Sequence, residues 1–233
     1  MRGAPPIAPG GVPGRLRKSA LRRRVNRHVR RSPKMRSAFP HRLALCLIGA
    51  LLLTACGRDE AIALEPRHEQ PAMRWDHKPQ AGLWTRTSLQ ALSTHGAVLA
   101  QTVPADIKAW CPGYADAKPA DRRAFWSGLL SALAKHESTW NPQAVGGGGR
   151  WFGLVQISPA TARGYGCKAR TGEDLQKGPA NLSCAIRIWS RTVTRDGVVA
   201  RGGGGVAADW GPFSVASKRK DMAGWTRAQP YCQ

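Results

Sequence analysis

The chain has 233 residues, of which 36 are Lys or Arg and 14 are Asp or Glu, so its formal net charge is +22. This length allows one compact domain with additional segments and excludes several large domains. The charge alone would suggest a nucleic-acid-binding protein, but residues 1–55 hold 13 of the basic residues and no acidic residue. The other 23 basic and 14 acidic residues leave about +9, a surface charge that attracts anionic polymers of any kind. Because more than half of the excess positive charge lies in residues 1–55, before the main part of the chain, we do not expect nucleic acid as a partner.

An export signal is predicted near the start of the chain. The apolar run Leu43–Leu53 follows Arg36 and Arg42 and is too short for a comfortable membrane span. It leads into Leu53-Thr-Ala-Cys56, which matches the pattern at which bacterial lipoproteins are cleaved and lipidated on the cysteine. An uncleaved membrane anchor is the alternative interpretation.

Two further predictions concern the residues around this signal. Residues 35–42 already form a basic segment of normal length, which favours Met35 as the true start codon and residues 1–34 as an upstream extension. Gly57 follows the cysteine where an Asp would retain a lipoprotein in the inner membrane, so the pattern resembles sorting to the outer membrane. We expect residues 1–55 to be absent from the mature protein. The remainder would lie on the periplasmic side of the cell envelope, anchored through lipid on Cys56.

A tether and a single domain are predicted after the signal. Residues 56–102 are polar, contain proline and show weak periodicity, apart from unevenly spaced apolar residues between Leu83 and Leu99 that could form a short helix. Residues 103–233 are long enough for one core. Helical patterns follow one another there and alternating β-branched runs are few, so the predicted class is mainly α.

The first candidate catalytic residue lies at the end of a predicted helix over residues 121–136. Trp126, Leu130, Leu133 and Glu137 share one face of this helix by their spacing. A carboxyl group held against apolar side chains has its charged form disfavoured, so we expect a raised pKa and a general acid near neutral pH. Asn141-Pro142 is predicted to stop the helix. An ordinary partly solvated Glu is the alternative.

A polar loop follows in the segment Gly153-Leu-Val-Gln156-Ile. The glycine allows close approach of the backbone, and the Gln156 amide both donates and accepts hydrogen bonds, as sugar hydroxyls require. Ser158-Pro159 has the form of a helix N-cap followed by proline at the first helical position. A buried turn with a structural Gln is the alternative.

Two later segments carry candidate binding residues. Asn181 opens a predicted core helix whose buried face would include Leu182, Ile186 and Trp189, and it serves either as the N-cap or as a substrate ligand. Trp210 is either a core residue or an apolar wall for a sugar. The glycine runs of residues 146–149 and 202–205 are expected to be flexible loops beside the cleft. They lack the strand and lysine of a phosphate-binding loop, so no nucleotide is expected.

These segments together resemble the motifs of the soluble lytic transglycosylases, which cut the glycan strands of bacterial peptidoglycan. In that family Glu-Ser precedes a short loop, Gly-Leu-Met-Gln-Ile and Pro-x-Thr-Ala, and only Val155 departs from this order here. A Tyr that many relatives carry in a fourth motif is absent, and Ala208 or Asp209 takes its place. The resemblance covers about residues 121–213 and implies a lysozyme-like fold.

The resemblance also implies a mechanism with one acid. Glu137 would protonate the oxygen leaving the MurNAc sugar and then take the proton of its 6-hydroxyl, closing a 1,6-anhydro ring without water. Ser138 and Gln156 would position acid and sugar, and Asn181 and Trp210 would contact substrate. A goose-type lysozyme that adds water and a non-catalytic peptidoglycan-binding lipoprotein remain as alternatives. No cofactor is implied, and we expect a monomer whose partners are peptidoglycan and the membrane.

The cysteines agree with an exported protein. Apart from Cys46 and Cys56, the chain has Cys111, Cys167, Cys184 and Cys232, which allow three pairings. Cys167 with Cys184 and Cys111 with Cys232 is the favoured pairing, since one bond would close the loop between the second and third motifs and the other would fasten the C-terminus. A zinc site is the alternative, although the short paired spacing of zinc ligands is missing, and we expect no metal.

Overall fold

The computed structural model describes residues 70–233 of the chain. Within this range helices dominate, and the strands form one antiparallel two-stranded hairpin. The helices are α1 (Ala81–Ser93), α2 (Ala97–Gln101), α3 (Pro119–Ser138), α4 (Pro159–Gly164), α5 (Gly172–Leu175), α6 (Gly178–Asp196) and α7 (Ala216–Arg227). The strands are β1 (Val145–Gly146) and β2 (Trp151–Phe152), and short 3-10 turns cover Ile107–Ala109, Arg201–Gly203, Gly205–Ala208, Gly211–Phe213 and Pro230–Cys232. The predicted mainly α class is confirmed.

Helix α3 forms the centre of the domain. It includes the predicted helix and extends it by two residues at each end, with Pro119 in its first turn. Every residue from Ala124 to Ala134 is buried, because α1, α2 and α7 all pack against it. At Gly128 a Cβ atom would collide with the Tyr231 hydroxyl, so this glycine lets the C-terminal segment pack directly on the helix.

The prediction of a tether over residues 56–102 is wrong from at least residue 73 onward. Met73, Trp75 and Leu92 are buried in the core, and α1 packs against both α3 and α6. Helices α1 and α2 lie where the sequence suggested a short helix, but the buried face of α1 includes Thr85 and Ser88 while Leu83 is 46% exposed, so no apolar stripe indicates its place in the core. The domain therefore begins about thirty residues earlier than expected.

Helix α6 supplies the opposite wall of the core. Its residues Leu182, Ala185, Ile186, Trp189 and Val193 are all buried, as their spacing predicts. The Trp189 ring makes edge contacts with Trp210 at 5.8 Å and with Phe213 at 6.4 Å between ring centroids. These aromatic contacts hold the segment that follows α6 against the core.

Two disulfides join Cys111 to Cys232 and Cys167 to Cys184, so the favoured pairing is confirmed. The first bond closes a separation of 121 residues and fastens the last residues beside the entry to α3. Each bond stabilises the fold by about 2–4 kcal/mol, mainly by restricting the unfolded chain. Because all four cysteines are bonded, none of them is available as a zinc ligand.

No helix within residues 70–233 is long and apolar enough to cross a membrane. The predicted extension, Met35, the signal segment and Cys56 lie outside the described residues.

Candidate functional site

Glu137 lies in the last turn of α3, where the chain reverses sharply. The helix ends at Ser138, and Thr139 and Trp140 follow with φ values of 52° and 57°. The predicted stop at Asn141-Pro142 is thus a few residues late, because the left-handed turn has already ended the helix. Left-handed backbone at a β-branched residue is costly. Here it directs the chain away immediately after the acid and leaves the carboxyl group beside a cleft.

The environment of Glu137 raises its pKa to about 7. Burial is the main cause, since it disfavours the charged carboxylate, and the positive charge of Lys218 on α7 opposes it in part. At neutral pH a large fraction of the side chain therefore holds its proton. This confirms the raised pKa expected from the apolar face of the helix.

A cleft of about 380 Å³ lies beside the Glu137 carboxyl group. It is lined by Glu137, Gly146, Gly147, Trp151, Gln156, Asp209, Trp210, Gly211 and Pro212. The hairpin of β1 and β2 thus forms one wall and the Gly211–Phe213 turn the other. The first glycine run lies at this cleft as predicted. The second run borders a different cavity, because the Gly205 amide is held by Asp196 at the end of α6.

Gln156 shapes the loop that faces the acid. Its backbone is left-handed, with φ 49°, and its Nε2 donates to the carbonyl oxygens of Ala144 at 3.2 Å and Gly153 at 2.9 Å. The Oε1 atom lies over Gly146, where a Cβ atom would collide with it. This oxygen accepts no hydrogen bond within residues 70–233, so it can accept one from a bound hydroxyl or amide.

Ser138 fastens the acid-bearing helix to this loop. Its Oγ donates to the Leu154 carbonyl at 2.8 Å and accepts from the Asn141 N–H at 3.1 Å. With the hydroxyl engaged on both sides, Ser138 orients the end of α3. These contacts agree with the predicted role of Ser138 in positioning the acid, and its contact with substrate stays a prediction.

Asn181 holds the same loop from the other side. It is fully buried, accepts from the Val155 N–H at 3.0 Å and donates to the Phe152 carbonyl at 2.9 Å. It is the fourth residue of α6 and so is not the N-cap. At Gly153, with φ 82°, a Cβ atom would collide with the Asn181 side chain. Asn181 is thus a scaffold for the loop and has no exposed surface for the predicted substrate contact.

Trp210 completes the support of the loop. Only 4% of it is exposed, and its Nε1 donates to the Val155 carbonyl at 2.7 Å. The core interpretation of this residue is therefore correct, although its edge also lines the cleft. The backbone of residues 152–155 is hydrogen-bonded by Ser138, Asn181 and Trp210. These motif residues therefore stabilise the conformation of the loop.

Sequence reasoning missed Trp151, which lies on β2 at the rim of the cleft. The side chain is 42% exposed, and its ring lies against Gly147, where a Cβ atom would occupy the space of the ring. The Arg150 guanidinium lies 4.9 Å from the ring centroid. An exposed aromatic ring held in a cleft offers a flat surface to the apolar face of a sugar. The available signal was a tryptophan two residues after a glycine run.

A charged cluster around Asp221 was also missed. Asp221 on α7 accepts from Arg74 at 2.6 and 2.9 Å, from Lys135 at 3.3 Å and from His136 Nε2 at 2.7 Å. Arg74 is the main cause of the lowered pKa of the Asp221 carboxyl. The cluster fixes the residue just before Glu137 to α7 and to the N-terminal segment. No local pattern could reveal it, since Arg74 lies 147 residues before Asp221.

Asp209, the acid nearest the missing Tyr, lines the cleft but does not raise the pKa of Glu137. It is exposed and accepts a hydrogen bond of 3.0 Å from the Tyr165 hydroxyl. The cleft therefore contains two carboxyl groups, of which only Glu137 is held in apolar surroundings.

A helical domain of lysozyme-like fold, with one half-buried acid of raised pKa at the end of its central helix, defines the class of this protein. Residues 116–197 match the model of the transglycosylase SLT domain. The resemblance to the soluble lytic transglycosylases that the sequence motifs indicated is confirmed.

Solved structures of DslA are similar to this chain. Two DslA variants, each with one glutamate changed to glutamine, match with a TM-score of 0.64 and 28% identity over 70% of this chain and 99% of theirs. Wild-type DslA matches with a TM-score of 0.60 and 27% identity over the same shares. No curated protein sequence matches the chain significantly.

Proposed function

We propose that the protein is a peptidoglycan lytic transglycosylase that cleaves the MurNAc–GlcNAc bond. The observation that carries the proposal is the Glu137 carboxyl group, whose pKa is raised by burial to about 7 and which lies at a cleft with Gln156 and Trp151. A protonated acid at neutral pH can donate to a glycosidic oxygen. The match to the transglycosylase SLT domain supports the same class of reaction.

In the proposed reaction Glu137 acts first as acid and then as base. It gives its proton to the oxygen that joins MurNAc C1 to the next sugar, and that C–O bond breaks. The resulting carboxylate then removes the proton from the MurNAc 6-hydroxyl, whose oxygen bonds to C1 and closes the 1,6-anhydro ring. No water is consumed, and Glu137 regains its proton. Gln156 Oε1 and the Trp151 ring would hold the sugars in place.

A hydrolase of the goose-lysozyme type is the second candidate, because Asp209 places another carboxylate in the cleft. Hydrolysis with inversion uses a second carboxylate to activate water. Two observations favour the first candidate: Asp209 is exposed, and it does not contribute to the raised pKa of Glu137. A second carboxylate that was buried close to Glu137 would disfavour the charged form of Glu137 and raise its pKa.

Digestion of peptidoglycan sacculi with the full-length protein separates these candidates. A transglycosylase releases fragments with 1,6-anhydro ends, whereas a hydrolase releases reducing ends that are heavier by one water. Glu137→Gln should reduce cleavage at least about a hundredfold, because the amide cannot donate the proton. Glu173→Gln, at an exposed Glu of α5, is the matched control. If the wild type releases fragments with reducing ends and Asp209→Asn does not, the result would favour the hydrolase.

Binding of sacculi without release of any fragment by the wild type would favour the non-catalytic alternative. Retained turnover in Glu137→Gln would contradict the assignment of the acid.

We also propose that the protein works at the periplasmic face of the outer membrane as a lipid-anchored monomer. The support is the lipoprotein pattern ending at Cys56 and the Gly57 that follows it. Peptidoglycan lies within reach of a protein anchored there, which agrees with the proposed substrate.

A further inference from the structure

A second large cavity lies in the described residues and shares no lining residue with the Glu137 cleft. Its volume is about 720 Å³. Its wall includes Asp106, Trp110, Arg201, Phe213, Arg219 and Lys220. Trp110 and Phe213 are buried and contact each other edge to face, so the lining is apolar at their side. We call this space the basic cavity because of the charges at its wall.

The wall of the basic cavity carries uncompensated positive charge. Arg201, Arg219 and Lys220 form no salt bridge within residues 70–233. Asp106 is the acidic residue of the wall, and its carboxylate already accepts from the backbone N–H groups of Ala200 at 3.0 Å and Arg201 at 2.9 Å. An anion that enters the cavity would thus meet three cationic side chains beside an apolar surface.

Consecutive residues around one turn line the Glu137 cleft and the basic cavity. Gly211 and Pro212 line the cleft, while Phe213 and Ser214 line the cavity. Gly211, Pro212 and Phe213 form one 3-10 turn and Ser214 follows it; at a rise of about 2 Å per residue the turn is roughly 6 Å long. Helix α7 is close to both, since the charge of Lys218 acts on Glu137 and the next two residues, Arg219 and Lys220, line the cavity.

We propose that the basic cavity binds the stem peptide that peptidoglycan carries on its MurNAc sugars. This rests on the proposed function. An extended peptide spans about 3.4 Å per residue, so two or three residues cross the turn from a sugar held at Glu137. Stem peptides bear several carboxylates and small apolar side chains. The carboxylates pair with Arg201, Arg219 and Lys220, and the methyl groups pack on the exposed wall residues Ala109 and Ala216.

The first test measures binding of a free peptide, which requires no cleavage of glycan. Full-length protein in detergent is titrated by calorimetry with the tripeptide of alanine, glutamate and diaminopimelate. The double variant Arg201→Gln/Lys220→Gln should raise the Kd at least about tenfold, because two charge-assisted contacts are lost. Arg86→Gln/Arg191→Gln removes the same charge from exposed positions outside the cavity and should leave the Kd unchanged.

A second variant tests the cavity by its volume. Ser214 is exposed at the cavity wall, so Ser214→Trp should obstruct the space without changing any charge and should also weaken binding. The proposal is overturned by an unchanged Kd in the first double variant, by an equal loss in its control, or by equal binding of a peptide with amidated carboxylates. Preferential binding of vesicles of anionic phospholipid would overturn it too.

The second measurement compares sacculi with and without stem peptides, the latter prepared with an amidase. The wild type should have a lower KM for intact glycan, and Arg201→Gln/Lys220→Gln should abolish this difference. Failure of the proposed function is distinguishable, because the wild type would then cleave neither substrate while the free peptide still bound.

Discussion

Burial of Glu137 should make the stability of the protein depend on pH in a way that one substitution removes. The folded protein holds this carboxyl group in apolar surroundings and raises its pKa from the ordinary 4.5 to about 7. In the unfolded chain the group is solvated and ionises at the lower value. Glu137→Gln replaces it with a neutral side chain of nearly the same shape. The variant therefore lacks the loss of stability that ionisation of Glu137 causes in the wild type.

The sign and size follow from proton linkage. Below pH 4.5 both states hold the proton, and the variant and wild type should have similar stability. As the pH rises toward 7 the unfolded state ionises first, so the wild type loses about 1.4 kcal/mol per pH unit. Above pH 7 the folded state ionises too and the loss levels off at about 3 kcal/mol. Glu137→Gln should therefore stabilise the protein by about this amount at alkaline pH.

Urea unfolding followed by tryptophan fluorescence measures this difference at about pH 4, 6 and 8. Glu173→Gln removes an exposed carboxylate and should show no comparable gain at any of these values. A gain in Glu137→Gln that is the same at all three pH values would refute the reasoning, because it would mean that packing and not ionisation causes it.

Three further predictions concern other residues. Lys218→Gln removes the charge that lowers the pKa of Glu137, so the alkaline limit of activity should move to higher pH in a pH–rate profile, whereas exposed Lys168→Gln should leave it in place. Trp151→Ala should raise KM for glycan strands roughly fivefold through loss of about 1 kcal/mol of stacking, with Trp151→Phe retaining most of the affinity; an unaltered KM would place the sugars elsewhere. Cys56→Ala should move the protein from the membrane fraction to the soluble fraction, and continued membrane association would identify an uncleaved anchor.

The sequence by itself determined the features that depend on neighbouring residues. The apolar face leading to Glu137 predicted both the helix and the raised pKa, because a helix brings every third or fourth residue onto one side. Ser158-Pro159 predicted the start of α4, where the Ser158 hydroxyl accepts from the Thr161 N–H. The buried face of α6 was equally clear from its period. Each of these features follows from interactions within a few turns of the chain.

Only the tertiary structure decided what the polar residues do. Ser138, Asn181 and Trp210 could each contact either a ligand or the protein, and their hydrogen bonds to the backbone of residues 152–155 exist only because α3, α6 and the later turn meet at that loop. A buried polar group must find a partner, but its sequence position does not say which one. For the same reason the sequence suggested a short helix between Leu83 and Leu99 but not the packing of α1 in the core. Its buried Thr85 pairs with the Trp75 indole at 2.9 Å, a contact that local hydrophobicity cannot reveal.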